Sequence, residues 1–102
     1  MIDYEDFVEL AKKYSLHIYN TACYLSRNLL VNDEVMTYNC MGGFVKFYPE
    51  ITLYEGNIAV RRNPSYDIHT LEELENALEK IIRNCKEMKI QYKKELIEKD
   101  FK

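Results

Sequence analysis

The sequence predicts an α+β domain in the order α-β-β-β-α, a three-stranded antiparallel meander with two long helices packed on one face. Three observations carry this. Apolar residues recur at helical spacing at both ends of the chain, and they alternate at strand spacing through its middle. Two glycine-containing pairs, Gly42-Gly43 and Gly56-Asn57, divide that middle into three strands. With 102 residues the chain has the length of one domain, read as helix 4–31, sheet 35–62 and helix 71–98.

In the first helix Phe7, Ala11, Tyr14, Ile18, Ala22, Leu25 and Leu29 form one stripe at intervals of three and four. Asp3 is placed to cap its start, and Glu5, Asp6 and Glu9 suit the positive end of the helix dipole. Asn32 and Asp33 supply the turn that ends it, and Ser15 marks the place where the pattern admits a break.

The stretch FVKFYPEITLY alternates without interruption through its proline. Val45, Phe47, Pro49, Ile51 and Leu53 fall on the core side, and Lys46, Tyr48, Glu50, Thr52 and Tyr54 on the other, which reads as one strand. A two-residue Gly42-Gly43 turn pairs Phe44 with Met41 and sets Met36, Tyr38 and Cys40 on the core side of the first strand. Even-numbered residues of the central strand then bond the first strand and odd-numbered ones the third. That phase excludes a Glu55-Gly56 turn and selects Gly56-Asn57, pairing Glu55 with Ile58 and Leu53 with Val60. Followed back, the register puts Pro49 opposite Pro64, where the third strand has ended and no donor is required.

The loop NPSYDIHT leads to the second helix, where Thr70 and Glu73 form a capping box. Its stripe is Leu71, Leu74, Leu78, Ile81, Cys85, Met88, Tyr92 and Leu96, with acids early and lysines late. At 1.5 Å per residue it reaches about 40 Å, so its distal end, Tyr92 to Phe101, outruns the sheet and is available to a second copy in a homodimer.

Composition narrows the function. The net charge is −3 with both signs interleaved, an acidic start stands where a signal peptide is basic, and no apolar run is long enough to span a bilayer. These features predict a cytoplasmic protein without membrane attachment. Cys23, Cys40 and Cys85 are odd in number and share no C-x-x-C spacing, so they read as reduced thiols, Cys40 and Cys85 on apolar faces. His17 and His69 stand at a helix edge and before a helix cap. No nucleophile elbow, phosphate loop or metal-ligand motif is present. The expectation is a protein with no catalytic residue, no metal and no cofactor.

The outward sheet face is the informative surface. Asn39, Lys46, Tyr48, Tyr54 and Arg61 gather there as candidate partner-binding residues, aromatics interleaved with cations. Nine tyrosines and no tryptophan suit an interaction surface, because tyrosine offers area and a polar tip at low entropic cost. The favoured reading is a small acidic protein that binds another protein and acts as an inhibitor or adaptor by occlusion. Small phage-encoded inhibitors of bacterial defence, such as anti-CRISPR proteins, have that build. The alternative is single-stranded nucleic-acid binding on the same face, against which the net acidity argues.

The order α-β-β-β-α resembles that of the double-stranded RNA-binding domain over most of the chain. That family presents lysines at the start of its second helix. LEELE stands there in this chain, so the resemblance is one of element order and implies no RNA binding.

Overall fold

The computed structural model describes residues 1–24, 33–54 and 57–100. Its elements are α1 (Tyr4–Lys13), β1 (His17–Tyr19), β2 (Ala22–Tyr24), β3 (Glu34–Asn39), β4 (Phe44–Phe47), β5 (Ile51–Tyr54), β6 (Asn57–Val60), β7 (Tyr66–Ile68) and α2 (Leu71–Asp100). The fold is α+β. One antiparallel sheet has five strands in the order β1-β2-β3-β4-β7, and β5-β6 form a separate two-stranded hairpin.

The first helix is one-third of the expected length. It stops because Ser15 takes a left-handed backbone, φ 57°, and completes a Schellman motif. The Leu16 N–H donates to the Ala11 carbonyl (2.9 Å) and the Ser15 N–H to the Lys12 carbonyl (3.0 Å), while Leu16 is buried. The break that the pattern admits at Ser15 is thus where the helix ends, with serine in the place glycine usually takes. Beyond it the chain forms the β1-β2 hairpin through Asn20, also left-handed at φ 56°, pairing Ile18 with Cys23 and Tyr19 with Ala22. An interval of four residues is close to one helical turn and is also a multiple of two, so the stripe through Ile18 fits either element. Leu25, Leu29 and Asn32 of the expected helix lie outside the described residues. Asp3 sits at the N-cap position without a side-chain capping bond, and its carbonyl accepts the Phe7 N–H at 3.0 Å.

The long central strand is broken at Pro49. Below it β4 pairs with β3 and β7; above it β5 pairs with β6. The ladder phase reverses within two residues: the Tyr48 N–H still donates to Val35 of β3 (2.9 Å), whereas the Glu50 carbonyl already accepts from Arg61, next to β6 (2.8 Å). Pro49 stands at that crossing, where a missing donor costs no ladder bond. Proline therefore marks a junction between two sheets.

Both expected registers move by two residues. Asn39 pairs with Phe44, so a four-residue loop, Cys40 to Gly43, replaces the Gly42-Gly43 turn, with Gly43 at φ 64°. Tyr54 pairs with Asn57, so the connection is the residue pair 55–56 that the phase argument excluded; that argument needed an unbroken strand. The loop NPSYDIHT contains β7, whose pairing of Val45 with Ile68 realises the register expected for the second hairpin, below the break. A shift of two preserves side-chain faces. Met36, Tyr38, Val45 and Phe47 are accordingly buried on the core side, but Cys40 is carried into the loop and exposed.

Helix α2 is capped as its sequence requires. The Glu73 N–H donates to Thr70 Oγ1 at 3.2 Å and the Leu74 N–H to the Thr70 carbonyl at 3.1 Å. Leu74, Leu78, Ile81 and Cys85 join Ile2, Phe7 and Ala11 and the inward sheet residues in one buried cluster; Leu71 stays at the surface. Tyr38 links the layers, its ring 5.3 Å from Phe7 and its hydroxyl donating to the Ile2 carbonyl at 2.8 Å. A Lys13–Glu75 ion pair and a Tyr14 hydroxyl bond to Glu79 (2.9 Å) tie α1 to α2. The hairpin lies against the distal half of α2, where Ile51, Leu53, Met88 and Tyr92 share a groove.

Candidate functional site

On the face turned away from both helices, β3, β4 and β7 set side chains in rows. One row is Thr37, Lys46, Asp67, joined at its β2 end by Ala22; the next holds Asn39 and Phe44, with the Phe44 ring 5.3 Å from His69. These rows line an open groove of about 600 Å³ with Lys46 at its centre and Phe44 and Tyr48 among its walls. Met41, 97 % exposed, stands on its rim at the tip of the Cys40–Gly43 loop.

The five candidate residues divide between this groove and the hairpin. Lys46 is exposed at the centre of the sheet face, as alternation requires. Asn39 lines the rim while serving the loop: its Oδ1 accepts the N–H groups of Met41 (3.1 Å) and Gly42 (2.9 Å). Tyr48 faces outward but is buried, with 8 % of its surface exposed, and the Arg62 guanidinium lies over its ring 5.2 Å from the centroid. Arg61 and Tyr54 belong to the hairpin side of Pro49 and are not part of the five-stranded sheet. The Tyr54 side chain lies outside the described residues. The continuous tyrosine-bearing face expected from one long strand is thus divided by the break.

Arg62 belongs to a polar latch without a sequence signature, since its partners are nearly thirty residues away. Arg62 Nη1 donates to Glu34 Oε2 at 2.5 Å, Thr37 donates to Glu34 Oε1, and the Val60 N–H donates to Asp33 Oδ2 at 3.0 Å. Burial alone would raise the Glu34 carboxyl, but the hydrogen bonds from Thr37 and Arg62 and the charges of Arg62 and Lys46 outweigh it and hold it below its ordinary value. The latch fastens the hairpin to the start of β3. Phe44, Thr37 and Asp67 were not among the expected site residues; the even numbering that Phe44 shares with Lys46 and Tyr48 was signal enough to include it.

Burial pushes the Cys23 thiol up to about 12, with Glu34 adding to it, and the Cys85 thiol up to about 11, so both remain protonated at neutral pH. Among the described residues no group of three or more His, Cys, Asp or Glu is placed to hold a metal ion, and no helix is long and apolar enough to cross a membrane. No family model matches the chain, and no curated protein or solved structure matches it either.

Proposed function

We propose that this chain is a non-catalytic protein-binding module, an inhibitor or adaptor that acts by occupying a partner's surface through the groove around Lys46. The observation that carries the reading is the convergence of a central exposed cation, an aromatic wall and a fully projecting methionine in one open groove. Aromatic residues and methionine are enriched in the cores of protein interfaces, and a cation among them selects a carboxylate on the partner. Lys46 supplies that charge, Phe44 and Met41 supply apolar area, and Thr37 and Asp67 supply hydrogen-bonding groups at the margin.

Nucleic-acid binding finds less support. A single strand needs a run of open aromatic faces on which to stack. The Tyr48 ring is already covered by Arg62, and Phe44 lies against His69.

The test begins with affinity capture from the native host, nuclease treatment of the captured material and identification of what remains by mass spectrometry. Lys46→Glu and Met41→Ala are then compared with the unmutated chain in titration calorimetry against that protein. Each variant should weaken binding by about tenfold or more while circular dichroism shows the same fold. Unaltered binding by both variants contradicts the reading, and loss of the captured partner on nuclease treatment replaces it with nucleic-acid binding.

A further inference from the structure

Helix α2 carries a second stripe on the side opposite its buried one. Taking 100° per residue, Arg83, Lys86, Ile90, Lys93, Lys94 and Ile97 all lie within about 60° of Ile90. The buried residues Leu74, Leu78, Ile81 and Cys85 lie on the far side of the helix. All six residues of the outer stripe are exposed, Ile90 at 54 % and Ile97 at 56 %. Glu87 is at its margin and turns toward the groove beneath the hairpin. Among the described residues none of the four cations is in an ion pair.

A solvated face accounts for the cations, since lysines late in a helix suit its dipole. It does not account for the isoleucines. Isoleucine is a poorer helix former than lysine or glutamate, and two of them stand seven residues apart along the centre line of a charged stripe. Seven-residue recurrence is the spacing at which one helix meets another along a seam, and Lys86 and Lys93 repeat at the same interval. The chain as a whole carries −3, yet four of the five charged residues on or at the edge of this stripe are cations, with Glu87 alone at its margin. A second copy docked by the same stripe would set cation against cation, which charge matching forbids. Phosphates would engage the cations and leave the isoleucines without purpose, while a lipid surface requires a far broader apolar face.

We infer that the outer stripe of α2 from Arg83 to Ile97 is a docking surface for an acidic amphipathic helix of a partner protein. Apolar residues of that helix pack around Ile90 and Ile97, and its carboxylates face Lys86, Lys93 and Lys94 over a length of about 21 Å. The surface is separate from the groove around Lys46.

The probe is a labelled helical peptide of about three heptads, leucine at the seam and glutamate beside it, with a scrambled peptide of equal composition as control. Anisotropy titrations between about 50 and 300 mM salt measure binding. The patterned peptide should bind and the scrambled one should not. Ile90→Ser with Ile97→Ser should weaken binding about tenfold or more at every salt concentration. Lys86→Glu with Lys93→Glu should weaken it as much and abolish its salt dependence. Both pairs should keep the helical circular dichroism and melting temperature, and Lys46→Glu should bind the peptide normally. Equal binding of the two peptides, or indifference to the isoleucine pair, overturns the inference. So does binding to phosphatidylserine-containing vesicles or single-stranded DNA that is tighter than peptide binding, or self-association in sedimentation that the isoleucine pair abolishes.

Discussion

The two halves of α2 share one periodicity and meet two environments. From Leu74 to Cys85 the inward stripe is sealed, with no residue more than 1 % exposed. Beyond it Met88 and Tyr92 are half-buried against the hairpin, and Leu96 on the same stripe is 43 % exposed. The first half has a sheet and a second helix beneath it; the second has one face of a two-stranded hairpin. Spacing tells which residues share a face. Whether that face has a partner depends on how far the sheet extends, and Pro49 sets that limit by ending the five-stranded sheet and diverting the chain into the hairpin.

The largest effect that could break this comparison is on stability. Ile81→Ala and Phe47→Ala should each cost about 2 to 5 kcal/mol, because both leave a cavity in a filled core. Leu96→Ala on the distal half should cost less than about 0.5 kcal/mol. Urea unfolding with a common m-value decides it, and equal losses at the three positions would show that the distal stripe is covered after all.

A smaller effect concerns the latch that holds the hairpin to the sheet. Glu34 has its folded pKa lowered below the ordinary 4.5, so its contribution to stability is present above that value and is lost as pH falls through the folded pKa. Glu34→Gln should therefore be less stable than the unmutated chain at neutral pH, and the difference should narrow steadily under acid. Melting temperatures across an acid series measure this. A difference that does not change with pH would mean that the carboxylate charge is not what fastens Arg62.

How much of this was legible in the sequence differs from element to element. Helix α2 was, down to its Thr70 cap, because thirty residues of consistent spacing leave no competing period. The α+β class and the core side of β3 and β4 were legible too, since alternation survives a register shift of two residues. The end of α1 was legible only as a permitted break at Ser15, which is where the helix stops. The hairpin beyond it was not, because Asn20 takes a left-handed conformation in which glycine is the usual signal and Ile18 fits both periods. At Pro49 alternation continues straight through the break: Phe47 and Ile51 both face apolar layers, but the layers belong to different sheets. For the candidate site, Lys46 and Asn39 could be placed by alternation alone. The covering of Tyr48 by Arg62 could not, as it depends on where the hairpin folds back.

Hydrogen–deuterium exchange along α2 in the free protein tests the central contrast most directly. Amides between Leu74 and Cys85 should exchange only through global unfolding, and those between Ile90 and Ile97 through local opening, faster by about two orders of magnitude or more. Slow exchange of uniform depth from Leu74 to Ile97 would contradict the account, since it would mean that the distal half of α2 is covered in solution as fully as the half that packs on the sheet.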